Sequence, residues 1–241
     1  LAAAQAPTSW SPELALQVQS VGDVAPSPDG RLVVYTQTRA VMEAEKSEMI
    51  SQIYLAAADG SRAVQLTRGE KSAASPRFSP DGRYVYFSSE RSGKPNLWRI
   101  PVDGGEAERL TDWKGAISAF HVSPNGKWVA FSGVEPPANE EKRQKEKLDF
   151  RVIDEEPRNH ALWLVPAEAD TSGKRAPRKV GDVSGHVTGV DWSPDSRLVA
   201  FSHQPTPLAD DWTKTDLSEV DIESGAVKVV AAGRTAEYNP M

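Results

Sequence analysis

Cysteine is absent from the 241 residues. Its absence excludes disulfides, thiolate nucleophiles and thiolate metal sites. It leaves the compartment open, because exported proteins can do without disulfides. No apolar run approaches the roughly 20 residues needed to span a bilayer, so no membrane partner is expected. Positive charge is in the minority: 28 Lys and Arg against 34 Asp and Glu give a formal net charge of -6. A generic electrostatic attraction to nucleic acid is thereby excluded. What is present is 39% hydrophobic residues, too many for a disordered chain and enough for a sizeable core. At the N-terminus, Ala2 and Ala4 fit the small-residue positions of a signal-peptidase site, with Gln5 as the first mature residue. A plain Ala-rich tail accounts for the same residues, so a periplasmic or secreted location is the expectation and a cytoplasmic one the alternative.

One phrase returns four times: Ser27-Pro28-Asp29-Gly30, Ser79-Pro80-Asp81-Gly82, Ser123-Pro124-Asn125-Gly126 and Ser193-Pro194-Asp195-Ser196. The successive spacings are 52, 44 and 70 residues. The shortest suits one four-stranded unit, and the longer ones a unit plus an insertion. Each phrase is a tight turn. Pro presets φ, Asp or Asn follows, and Gly accepts a positive φ. Ser196 stands where the others have Gly, which predicts strain or a different turn. After each turn comes an alternating apolar run: Leu32–Tyr35, Tyr84–Phe87, Trp128–Phe131 and Leu198–Phe201. Such runs read as strands. Short inner strands precede the turns, and third strands follow at Ile53–Leu55, Leu97–Ile100, Leu162–Val165 and Leu217–Val220. Two outer strands end alike, in Leu66-Thr67 and Leu110-Thr111.

This order of parts predicts an all-β chain, a β-propeller of four four-stranded blades at about 22–68, 73–112, 117–181 and 186–232. A fifth blade is expected to begin near 236, leaving the ring incomplete, and residues 1–21 form a tail and a short lead-in helix. Ser11 caps that helix, Pro12 opens it and Glu13 complements its dipole. Excursions at about 37–50, 134–159 and 204–213 all fall between the second and third strands of a blade. One rim is therefore elaborated and the other trimmed, and the elaborated rim is expected to work.

The phrase Phe78-Ser79-Pro80-Asp81-Gly82-Arg83-Tyr84-Val85-Tyr86-Phe87 resembles the propeller repeat shared by TolB-type proteins and the prolyl oligopeptidase family of serine peptidases. Two further stretches are similar to the peptidases, especially the acylaminoacyl-peptidase and dipeptidyl-peptidase branches. They are the lead-in Ser11–Leu16 with Val21-Gly22-Asp23, and the run Asp149–Glu156 continuing to Leu162-Trp163. The resemblance implies a propeller that gates and orients a peptide substrate for a C-terminal α/β-hydrolase domain carrying a Ser-Asp-His triad. No Gly-x-Ser-x-Gly nucleophile elbow occurs in these residues, so no catalytic residue is assigned and this chain alone is not expected to hydrolyse peptides. The alternative is a non-enzymatic, TolB-like interaction propeller.

On the elaborated rim, Arg151 could grip a peptide carboxylate or carbonyl, and Asp154, Glu155 and Glu156 an α-amino group. The competing reading is a set of salt bridges anchoring the insertion. The charged run Asn139–Lys147 suits a solvated helix with pairs such as Glu141–Lys145. His121, His160, His186 and His203 fall in different blades or linkers without zinc-ligand spacing, Asp210-Asp211 lacks the further oxygens of a calcium site, and no cofactor is expected. Trp98, Trp128, Trp163 and Trp192 read as packing; Trp10, Trp113 and Trp212 are unassigned. Asp191 is the main carboxylate the inner strands offer to the axis. The open flanks of blades one and four predict either self-association or partial disorder.

Overall fold

The computed structural model describes residues 10–43, 45–135 and 158–233. The start of a fifth blade, the charged run and Arg151, Asp154, Glu155 and Glu156 lie outside the described residues.

Helix α1 (Pro12–Leu16) precedes the first sheet, and the Ser11 hydroxyl accepts from the Leu14 amide at 3.2 Å, as a cap should. Four antiparallel sheets of four strands follow in chain order. Blade 1 holds β1 (Ser20–Pro26), β2 (Leu32–Glu43), β3 (Lys46–Ala57) and β4 (Ala63–Gln65). Blade 2 holds β5 (Ala73–Phe78), β6 (Tyr84–Ser89), β7 (Asn96–Pro101) and β8 (Glu108–Arg109). Blade 3 holds β9 (Ile117–Val122), β10 (Trp128–Gly133), β11 (Ala161–Pro166) and β12 (Arg178–Lys179). Blade 4 holds β13 (His186–Trp192), β14 (Leu198–Gln204), β15 (Asp216–Asp221) and β16 (Val227–Ala231).

The repeated turn is the same device each time. In the first, the Ser27 hydroxyl donates to Asp29 at 2.6 Å and accepts from the Leu32 amide at 2.9 Å, while the Gly30 amide donates to the Ser27 carbonyl at 2.9 Å. The bonds recur around Ser79, Ser123 and Ser193. Gly30, Gly82 and Gly126 hold φ near +70°, and Ser196 holds φ 60° in the same place. The turn is therefore kept without glycine. Its left-handed conformation costs Ser196 about 1 kcal/mol, which is offset where its buried hydroxyl accepts from the Asn125 amide of the neighbouring turn at 3.0 Å.

Alternation along the strands divides the core between neighbours. Val85 and Phe87 pack on blade 1, with Val34, Ile53 and Leu55. Tyr86 points the other way, into a cluster with Phe120, Val129 and Phe131 of blade 3. Ala130 and Leu164 of blade 3 meet Val187, Val199 and Phe201 of blade 4. Phe87, Phe131 and Phe201 share one repeat position and are fully buried, each worth roughly 1.5–3 kcal/mol. Among the described residues no such cluster joins blade 4 to blade 1, and the ring is not closed.

Leu-Thr at the end of two outer strands is also explained. Thr67 accepts from the Ile53 amide and donates to Gln52, both at 2.8 Å, and Thr111 does the same to Leu97 and Asn96. The side chain thus completes the ladder where the outer strand leaves it.

The excursion in blade 1 differs from expectation. Residues 37–50 do not form a loop: β2 and β3 run on as a paired ribbon to Glu43 and Lys46. Pairing is unbroken from Thr38 opposite Ser51 to Glu43 opposite Lys46, which holds the segment in strand geometry, and Met42 and Met49 stand exposed on it. In blade 4 the excursion folds into a 3₁₀ helix, Ala209–Lys214, tied by Asp211, which accepts from Thr206 and Lys214 at 2.6 Å. That carboxylate is an internal structural acceptor.

Candidate functional site

The inner strands are bulged alike. Pairing with the second strand slips between Gly22 and Ala25, between Ala74 and Arg77, between Ile117 and Phe120, and at Thr188. Each slip inserts one extra residue, which bends the strand and redirects its side chains. Asp23 and Ser75 hold φ of 47° and 54° within these bulges. The bulge hydroxyls are tied down by serines of the second strand: Ser118 to Ser132 at 2.6 Å and Thr188 to Ser202 at 2.8 Å.

Below the bulges, the residue two positions before each turn serine sits in the same register in every blade: Ala25 opposite Val34, Arg77 opposite Tyr86, His121 opposite Ala130, Asp191 opposite Ala200. Arg77, His121 and Asp191 line one cleft of about 370 Å³, together with Ser75, Ser118 and Thr188. It runs along the inner strands of blades 2, 3 and 4. His121 Nδ1 lies 3.3 Å from Asp191 Oδ1 but is not aligned as a hydrogen bond, and this buried nitrogen has no hydrogen-bond partner among the described residues. Asp191 Oδ1 accepts instead from the Trp192 amide at 2.7 Å. The Arg77 guanidinium donates to the neighbouring Pro76 carbonyl at 2.9 Å, and no described carboxylate pairs with it. The cleft therefore presents a cation, an imidazole and an anion on three successive blades, with hydroxyls above them. Of these, Asp191 was legible as an axial carboxylate. Arg77 and His121 were missed, although their common offset from the turn serine would have found them.

The four histidines do not stay apart as their sequence positions suggest. His160 and His186 meet across the boundary of blades 3 and 4 with ring centroids 4.6 Å apart, and the His160 amide donates to His186 Nδ1 at 3.1 Å. His160 Nδ1 lies 3.1 Å from the Ser118 hydroxyl and 3.2 Å from Ser132, linking the elaborated rim to the cleft. Burial, and then the neighbouring His160, push His186 down to about 4, and burial lowers His160 as well. Both shifts favour the neutral imidazole. Among the described residues no group of three or more potential metal ligands exists.

At the start of the long excursion, Trp113 donates from Nε1 to the Val134 carbonyl at 3.0 Å and packs edge-on against Phe131 and Trp163. This previously unassigned tryptophan is a rim anchor. At the other end, Asn159 donates to the Pro205 carbonyl of blade 4 at 3.3 Å. Trp163 and Trp192 donate to backbone carbonyls, and Trp98 and Trp128 lie beneath Arg91 and Arg178.

On the trimmed face, Arg99 of blade 2 is buried and grips Glu168 of blade 3 with two bonds of 2.6 and 3.0 Å, while its Nε donates to Glu108 at 2.7 Å. Tyr84 lies under its guanidinium at 4.5 Å. This network clamps blades 2 and 3 together.

Repeated four-stranded blades, bulged inner strands and a polar cleft along the axis define a propeller module. The chain belongs to the TolB beta propeller domain family, whose match covers residues 21–157; a WD domain, G-beta repeat, matches 177–203. Relatives include the uncharacterized peptidase YuxL of Bacillus subtilis, 36% identical over 32% of this chain and 11% of that protein. Dipeptidyl-peptidase 5 of Porphyromonas endodontalis is 30% identical over 36% of this chain and 12% of its own length. The matched segments thus span only a small part of these relatives. Among solved structures, the acylaminoacyl peptidase of Pyrococcus horikoshii superposes with a TM-score of 0.61 at 16% identity, covering 92% of this chain and 34% of that one. The putative TolB of Agrobacterium tumefaciens superposes with a TM-score of 0.54 at 16% identity, covering 88% and 80%. Among the described residues, no helix is long and apolar enough to cross a membrane.

Proposed function

We propose that this chain is the substrate-gating and peptide-orienting propeller portion of a serine peptidase of the prolyl oligopeptidase type, whose α/β-hydrolase domain lies outside these residues. The observation that carries the reading is the polar axial cleft, formed by blades whose sequence is akin to those of peptidases. A peptide passing along the axis would meet Arg77, His121 and Asp191 at one level, on three successive blades. On the elaborated rim, Arg151 would hold a carboxylate or carbonyl, and Asp154, Glu155 and Glu156 a free amine. Export to the periplasm goes with this reading and is checked by cell fractionation. The stacked Tyr35 and Tyr54 of blade 1, with ring centroids 5.6 Å apart, would contribute to self-association through that blade's flank.

The second reading, a TolB-like propeller that binds a protein partner, is favoured by the 80% coverage of the putative TolB chain. Labelling of the full gene product with a fluorophosphonate decides between them. Covalent labelling of one serine supports the peptidase reading. A product that takes no label but retains a stoichiometric protein partner on pull-down supports the other.

A further inference from the structure

From the ring of unlike charges in the axial cleft, we propose that the cleft is a binding site for a short peptide with both termini free. Its α-carboxylate is held by Arg77 and its α-ammonium by Asp191. The proposal rests on the peptide-handling reading above but concerns only residues of this chain.

Three features point to a ligand rather than to internal structure. First, Arg77 is not paired with a described carboxylate as a structural guanidinium would be. The Arg99 clamp shows what this chain does with a structural guanidinium: three bonds to two carboxylates. Among the described residues Arg77 has one bond, to the carbonyl of its own neighbour, and it lines the cleft. Four of its five donors thus remain for a planar carboxylate, the partner that fits a guanidinium best. Second, opposite signs stand on blades 2 and 4 with His121 between them, so a ligand carrying one charge would meet one wall unfavourably. A ligand with both charges satisfies both walls. Asp191 Oδ2 accepts no hydrogen bond from the described residues, and Ser75, Ser118 and Thr188 border the same space. Third, the volume of about 370 Å³ lies at the small end of the range for ligand sites, roughly 300–1,000 Å³. That suits a di- or tripeptide and excludes a folded partner.

The register explains how such a site arises. One repeat position faces the axis in every blade, and the bulge above it opens the strand. Changing that residue alters the cleft while the turn below it, which closes on its own serine, keeps the blade's register.

The test is calorimetric titration of the chain with the tripeptide Ala-Ala-Phe, its C-terminal amide, its N-acetyl form and free phenylalanine. The free tripeptide is expected to bind, and each capped form about 10–100-fold more weakly, the range set by losing one charge-assisted contact. Arg77→Gln should weaken the free tripeptide by a similar factor and leave the amide unaffected. Asp191→Asn should do the same with respect to the N-acetyl form. Arg77→Lys should restore part of the affinity, and unchanged circular dichroism and melting temperature establish that the variants are folded. Free phenylalanine binding as tightly as the tripeptide would overturn the peptide assignment. Absence of binding, or capping and Arg77→Gln acting additively, would overturn the site. Fluorophosphonate labelling of the full product is independent of these outcomes. A labelled enzyme with a silent cleft refutes this proposal alone.

Discussion

Replacing Ser79 with Ala tests the physical basis of the repeat. The Ser79 hydroxyl is 5% exposed as a residue, donates to Asp81 at 2.6 Å and accepts from the Tyr84 amide at 2.9 Å. The amide bond contributes about 1 kcal/mol. The bond to the carboxylate would contribute about 1.5–3 kcal/mol if fully buried, but the Asp81 side chain is 47% exposed, so about 1 kcal/mol remains after screening by water. The variant should lose about 2 kcal/mol at pH 7, or roughly 4–8 °C in melting temperature for a chain of this size. The pH dependence isolates the second bond. The Ser79 hydrogen bond above all, opposed by burial and helped by the Arg83 amide and guanidinium, holds Asp81 down at about 2 from 3.8. A depressed carboxylate contributes stability that is fully present above the unfolded value and is lost as pH falls through the folded one. The difference between wild type and Ser79→Ala should therefore shrink between pH 4 and pH 2. Ser123→Ala is the internal control, since its partner is Asn125, which does not titrate, at 2.8 Å. Its deficit should stay constant over the same range. Urea unfolding at pH 7, 4 and 2.5 reads both. Deficits that change in parallel in the two variants would refute the assignment of the Ser79–Asp81 bond as the source.

Arg99→Met should destabilise by about 1–2 kcal/mol in urea unfolding, at the low end for a buried cation because Glu168 and Glu108 are 76% and 46% exposed and take up water when released. In a double-mutant cycle with Glu168→Gln the two effects should be non-additive; additivity would show that the clamp between blades carries no energy. Gly185→Ala should cost about 2 kcal/mol or more, since Gly185 holds φ +107° and an added Cβ would lie 2.5 Å from the Gln204 carbonyl oxygen; a neutral change in thermal melting would contradict that packing. His186 is held down at about 4 against 6.5, by burial and then by His160. The unfolded chain therefore takes up its proton first, and stability should fall by about 1–2 kcal/mol from pH 6.5 to pH 4, a loss that His186→Phe should reduce. An NMR titration placing His186 near 6.5 would contradict the buried pair.

Much of the architecture was legible because a turn must satisfy its own backbone locally. The four Ser-Pro phrases carry their hydrogen bonds within six residues, so sequence spacing located the blades and the runs that follow became β2, β6, β10 and β14. Ser196 was legible as an anomaly but not as a solution, since its compensating bond comes from Asn125, 71 residues away. The candidate site was less legible. Arg77, His121 and Asp191 share one offset from the turn serine, yet they differ in chemistry, and a search for repeated residues passes over a repeated position. Their convergence also depends on a bulge in each inner strand, which alternation alone does not announce. His160 and His186 were separated by blade, and it is the packing of blade 3 on blade 4 that brings their rings together. The ribbon of β2 and β3 was misread because the alternation stops after Thr36 while the backbone pairing runs on to Glu43 and Lys46.

The central claim is that the propeller admits and orients short peptides for a hydrolase. Its most direct test is the kcat/KM of the full gene product on a free tripeptide p-nitroanilide, compared with an unfolded polypeptide of about a hundred residues carrying the same cleavage sequence. The account predicts efficient cleavage of the short substrate and a drop of at least about 100-fold for the long one. Equal efficiency on both, or no hydrolysis of either, would contradict it.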